Sequence, residues 1–124
     1  MDANFHAMPE NGFIELSATE ELDDLLSHSA EQAVIVFKHS DTCGISARAH
    51  REMIKVTHRI GIVTVQKARS LSNEIESRFG LPHETPQVLI VRNGKLTWSA
   101  SHFRITADAV NRAIQEINGS EARA

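Results

Sequence analysis

The chain is short of sulfur. It has a single cysteine, Cys43, among 124 residues. No internal disulfide can form, so nothing requires an oxidising compartment and a cytoplasmic location is expected. Long apolar runs are missing too, and the longest, Ala33 to Phe37, is far too short to span a bilayer. The opening "MDANFHAMPENG" has neither the basic start nor the apolar stretch of a secretory signal peptide. Charge of one sign is absent as well. The 13 lysines and arginines against 16 aspartates and glutamates give −3, and neither sign forms a block. That removes the electrostatic footprint of a nucleic-acid binder. The seven histidines include no pair at the i, i+4 spacing of helical metal ligands. No metal site is therefore expected, and His50 and His58 are read as solvated.

What is there suits one globular domain. Hydrophobic content of 41% and charged content of 23% are ordinary for that class. A chain of this length buries about two-thirds of the surface that it exposes when unfolded. There is no internal repeat, low-complexity segment or linker. A flexible leader is expected over residues 1–12, the folded domain over 13–118 and a frayed tail over 119–124.

Within the domain, strands and helices alternate. "FIEL" (Phe13 to Leu16) reads as a short strand, and Ser17 with Glu20 has the spacing of a capping box. Leu22, Leu25 and Leu26 then share a helical stripe. "AVIVFK" (Ala33 to Lys38) is apolar at consecutive positions, as in a strand covered on both faces. From Cys43 the period turns helical, with Ile45, Ala49, Met53 and Val56 on one face, to about Arg59. "GIVTV" (Gly61 to Val65) is the next strand. Leu71, Ile75 and Phe79 mark a helix that Gly80 can close. "VLIVR" and "LTWSA" flank Asn93-Gly94, a strong hairpin signal, and Trp98 on that hairpin is read as packing. Thr106 can cap a last helix ending near Asn118-Gly119. The order βαβαβαββα implies an α/β fold with a mixed central sheet and helices on both faces.

That order is the thioredoxin order, and it gives the lone cysteine a meaning. In this architecture a buried strand ends at the first turn of a helix, and the reactive cysteine stands on that turn. Free N–H groups and the positive end of the helix dipole favour thiolate over thiol there. A lone cysteine is otherwise often a small buried hydrophobe. Its place at a strand-to-helix junction, inside "CGIS", argues instead for redox chemistry. Gly44 leaves the sulfur uncrowded, and the Thr42 and Ser46 hydroxyls can donate to it. Ser46 occupies the position of the second, resolving cysteine of dithiol relatives. In "HETPQ", Pro86 directly precedes a strand. A cis Thr85-Pro86 bond facing the cysteine is expected from the topology, although only about 5–6% of X-Pro bonds are cis.

Together, "FKHSDTCGIS", "SNEI", "HETPQVLIVRNGK" and "WSASH" resemble the monothiol bacilliredoxins of the bacillithiol system, over about Phe13 to Ile117. The family usually has proline after the cysteine, where this chain has Gly44. The resemblance implies a thioredoxin fold acting on mixed disulfides between proteins and bacillithiol, or a similar low-molecular-weight thiol serving as co-substrate. No bound cofactor is expected, and the expected state is a monomer whose partners are thiolated client proteins, with neither nucleic acid nor membrane. Carried over by position, Cys43 is the nucleophile. Lys38, His39 and Ser40 before it, with His83, Thr85, Pro86 and Gln87 in the proline loop, form the substrate-binding surroundings.

The mechanism then follows from having one sulfur. Cys43 attacks the small thiol's sulfur in the mixed disulfide and releases the reduced client. An external thiol must then clear the adduct. Two other readings stay open. "CGIS" is one residue from the C-G-F-S motif of monothiol glutaredoxins, which hold a [2Fe–2S] cluster between two subunits with glutathione. The fold also serves redox-inactive adaptors.

Overall fold

The computed structural model describes residues 12–123. The leader assigned to residues 1–12 lies outside the described residues except for Gly12, which opens the first strand. The elements run β1 (Gly12–Glu15), α1 (Thr19–Ser27), β2 (Val34–His39), α2 (Gly44–Met53), β3 (Arg59–Thr64), α3 (Arg69–Phe79), β4 (Gln87–Arg92), β5 (Lys95–Ser101) and α4 (Ala107–Arg123). Single 3₁₀ turns follow α1 (His28–Ala30) and β5 (His102–Arg104).

The five strands form one sheet in the order β1-β3-β2-β4-β5. β2 is the central strand, parallel to β3 and antiparallel to β4. Its alternation feeds two cores. Ile35 and Phe37 pack with Ala49 and Met53 of α2 and with Val110 and Ile114 of α4. Val34 and Val36 pack with Leu22 and Leu25 of α1 and with Leu71 and Ile75 of α3 on the opposite face. A strand covered on both sides needs consecutive apolar residues, which is what the sequence supplies.

Several boundaries differ from the expected ones. α1 starts later, with Ala18 as its N-cap, and Glu21 rather than Glu20 accepts the N–H groups of Ser17 (2.7 Å) and Ala18 (3.1 Å). α2 stops at Met53 instead of Arg59. The β-branched Val56 and Thr57 favour leaving the helix, and Val56 is buried in the core. α4 runs on past Asn118-Gly119 to Arg123. One internal glycine costs a helix only about 1 kcal/mol, too little to end it.

The Asn93-Gly94 turn has φ of 55° and 74°, the left-handed pair that a two-residue hairpin requires. A register shift between Ile90 and Val91 leaves Thr97 as the extra residue of β5, so the irregularity lies away from Lys95. Trp98 packs against the α2–α4 core, as read from the sequence. The turn is fastened to the end of α1. Ser29 accepts the Asn93 N–H (2.7 Å) and Arg92 Nη1 (2.7 Å) on its carbonyl, and the Gly94 N–H (2.9 Å) on its hydroxyl.

Candidate functional site

β2 and β3 run parallel and end at the same sheet edge, and the neighbouring β4 begins there. Ser40 to Thr42 lead from β2 into α2, and Cys43 is the N-cap residue of that helix. Its backbone is extended (φ −111°, ψ 126°), and its carbonyl accepts the Ala47 N–H at 3.0 Å. The cysteine is half-buried and unpaired. An N-cap side chain lies beside the unsatisfied N–H groups of the first turn. The sequence-derived placement of Cys43 at a helix start is therefore reproduced in three dimensions.

The hydroxyls around it are employed differently from expectation. Ser46 is fully buried, and its Oγ accepts the Ser40 N–H at 3.2 Å. Thr42 Oγ1 lies 3.3 Å from Ser40 Oγ and accepts from Gln66 Nε2 at 3.2 Å. Both groups shape the loop, and neither forms a hydrogen bond to the sulfur. Gln66 is the organiser that the sequence reading missed. Its Nε2 also donates to Ser40 Oγ (2.7 Å), and its Oε1 accepts the Asp41 N–H (3.1 Å). A signal was present, since a polar residue just after a strand parallel to β2 must sit at the same sheet edge.

Lys38 and His39 go to opposite faces of the sheet. His39 Nε2 faces Asp41 Oδ1 at 3.5 Å, so Asp41 turns toward the histidine. The His39 ring packs with His50 (5.0 Å between centroids) and Phe37 (5.6 Å), and His50 packs on Phe13 (4.7 Å). His50 is thus part of an aromatic cluster, in contrast to the solvated residue expected. His58 is also half-buried, in the loop before β3 rather than on a helix. Burial, reinforced by His50, holds the His39 imidazole below its ordinary value, against opposing pulls from Asp41 and Glu15.

Lys38 is fully buried on the α3 side, and its Nζ has no hydrogen-bond partner among the described residues. Burial pushes its ammonium down, with Glu76 opposing. The expected contact between Lys38 and a bound substrate is therefore corrected: no atom of this side chain reaches the surface.

The proline loop stands across from this end of β2, because Lys38 and Gln87 are register partners. The Thr85-Pro86 bond is cis. Gln87 is buried, and its Nε2 donates to the Pro82 carbonyl at 3.0 Å, so it braces the loop from beneath. His83 is 3.4 Å from Ser72 Oγ and 3.2 Å from Thr85 Oγ1. Its imidazole is held below the ordinary value by desolvation and then by Lys38 and Arg69, against Glu76 and Glu84. The Thr85 N–H and carbonyl have no partner among the described residues. The Pro86 carbonyl accepts the His102 N–H at 3.1 Å. No group of three or more His, Cys, Asp or Glu among the described residues can hold a metal ion. No described helix is long and apolar enough to cross a membrane.

A cysteine at the N-cap of the helix that follows the central strand of this sheet defines a thioredoxin-fold thiol protein. Solved structures agree on the fold. A proposed oxidoreductase with a thioredoxin fold superposes with a TM-score of 0.75 at 30% identity, covering 82% of this chain and 92% of its own. A mutant thioredoxin from Halobacterium salinarum NRC-1 gives 0.69 at 14% identity, with 88% and 93% covered. Thioredoxin from Trypanosoma brucei brucei gives 0.69 at 16%, again with 88% and 93% covered. The family is specific: the model for monothiol bacilliredoxin BrxC matches residues 14–110, and the chain belongs to that family.

Proposed function

We propose that this protein removes bacillithiol, or a related low-molecular-weight thiol, from mixed disulfides on client proteins through Cys43. The observation that carries this reading is Ser46. One turn from Cys43, where a second thiol would resolve an adduct, stands a buried hydroxyl bonded to Ser40. Membership of the bacilliredoxin family and the thioredoxin fold support the thiol redox role.

The Cys43 thiolate attacks the sulfur of the small thiol, and the client leaves as a reduced cysteine. The small thiol stays on Cys43 until a second molecule of external thiol displaces it. The free Thr85 backbone groups offer the client's extended segment one short ladder of hydrogen bonds. The protein acts as a monomer in the cytoplasm, where thiols are kept reduced.

Intact mass after incubation with a bacillithiolated client, and separately with bacillithiol disulfide, tests this. One bacillithiol per chain, located on Cys43 and removed by added thiol, is expected. A wild-type protein that never carries the adduct would make the adaptor reading the better one. Iron and acid-labile sulfide in anaerobically isolated protein would favour the cluster-binding reading.

A further inference from the structure

Phe103 is a large apolar side chain left 62% exposed, on the 3₁₀ turn after β5. The turn is held from several sides. The His102 N–H donates to the Pro86 carbonyl, and His102 Nδ1 faces Glu84 Oε1 at 3.4 Å. From α2, the Arg48 guanidinium lies over the Phe103 ring, 5.3 Å from its centroid. Phe103 and Arg104, with Glu84, Gln87, Ser101 and His102, line a groove of about 560 Å³ beside the proline loop. Arg48 is five residues beyond Cys43, about 7.5 Å along the helix axis at the usual rise.

Neither arginine makes an ion pair with a described residue, and the one carboxylate that feels the Arg48 charge is Glu52, one turn along α2. Arg48 Nη1 is shielded and donates to no described residue. The nearby acids are occupied. Glu52 accepts the Ala107 N–H (3.0 Å) and Lys55 Nζ (3.1 Å), and Glu84 accepts Ser101 Oγ (3.2 Å) in addition to facing His102. A guanidinium is a planar fork, and a carboxylate is an acceptor that matches it. Lys38 cannot compete for that carboxylate, because its ammonium is sealed beneath the other face of the sheet.

We propose that Arg48 and Arg104, flanking Phe103, hold the carboxylate of an acidic low-molecular-weight thiol and thereby select which sulfur of the mixed disulfide Cys43 attacks. This rests on the exchange reading above and adds the residues that orient its carrier. With the carboxylate anchored, the carrier's sulfur is the one presented to the helix N-terminus. A new S–S bond forms between it and Cys43 as the old S–S bond breaks. The client leaves as a thiolate and takes a proton from water. One disulfide replaces another, so no external oxidant or reductant enters this step.

The test compares the rates at which Cys43 takes an adduct from two disulfides, followed by mass. Glutathione disulfide carries carboxylates, and bis(2-hydroxyethyl) disulfide carries none. The wild-type ratio of acidic to neutral rates should exceed one and fall with added salt. It should drop roughly tenfold in Arg48→Gln and again in Arg104→Gln, as expected for loss of one charge-assisted pair. Arg48→Lys, which keeps the charge without the fork, should recover part of the ratio. An unchanged ratio, or equal slowing with both disulfides, overturns the subsite while leaving the exchange reading intact. A wild-type protein that takes neither adduct overturns both.

Discussion

Ser46 Oγ accepts the Ser40 N–H at 3.2 Å, so the residue at the missing-thiol position is bonded to the chain just beyond the central strand. Ser46→Ala should therefore destabilise the fold by about 1–2 kcal/mol, since a buried N–H loses its acceptor. The shift in denaturation midpoint by urea measures it. No shift would mean that the Ser40 N–H finds another partner.

Ser46→Cys should convert a one-thiol exchanger into a dithiol protein. Positions 43 and 46 lie one turn apart on one face of the helix start. A thiol at 46 attacks the Cys43 adduct within the molecule, at an effective concentration that a dilute external thiol does not match. The variant should release the small thiol unaided and accumulate an internal disulfide, both visible by mass. A variant that keeps its adduct as long as wild type does would contradict this.

Gly44→Pro should leave stability unchanged or raise it by about 0.5–1 kcal/mol. Gly44 is the first residue of α2, where proline's missing N–H matters least. A Cβ there meets no atom of the described residues within 4 Å. Cys43, at φ −111° and ψ 126°, already has the extended backbone that a following proline demands. A clear loss in thermal midpoint would show that the Gly44 N–H is in use.

Lys38→Met should stabilise the protein by about 1–3 kcal/mol at neutral pH, because an unpartnered buried ammonium gives way to an apolar chain. Since the folded-state value of Lys38 is depressed, wild type regains stability as pH rises toward the unfolded lysine value of about 10.4. The gap between variant and wild type in denaturant titrations should therefore narrow from pH 7 to pH 10. A constant gap would sink the argument.

His39 gives the opposite end of the pH range. Its folded-state value lies below the ordinary histidine value of about 6.5, because burial and His50 outweigh Asp41 and Glu15. The unfolded chain then binds the proton more readily, so stability is present above about pH 6.5 and is lost as pH falls below it. His39→Phe keeps the ring packing and should flatten that slope in part. His58 and His83, also depressed, would supply the remainder. NMR titration of His39 reads the sign directly, and a value above 6.5 would reverse the claim.

The parts of this protein that could be read from its sequence are those set by neighbours along the chain. Asn93-Gly94 needs left-handed φ values, which that dipeptide supplies locally. Cys43 follows a five-residue apolar run and precedes a helical period, and the fold places it where those two signals meet. The burial of Lys38 was not legible, because a lysine at a strand end is compatible with either snorkelling or enclosure. The packing of α3 and the proline loop decides between them. Nor were the pairing of Arg48 with Phe103 and the grip of Gln66 on Ser40 and Thr42. Each joins residues more than twenty positions apart, and no local pattern announces such a meeting. The end of α2 is not legible either, because Val56 satisfies helical periodicity while being buried from a loop.

The fastening of the hairpin at Ser29 bears on how the molecule can be modified. A two-residue turn at a sheet margin is ordinarily the most permissive place to splice in a tag or a foreign peptide. Here the backbone N–H groups of both turn residues are consumed by one serine from the other half of the chain. Widening the turn would break both of those hydrogen bonds to Ser29. For grafting purposes, the turn at Asn93-Gly94 is closed.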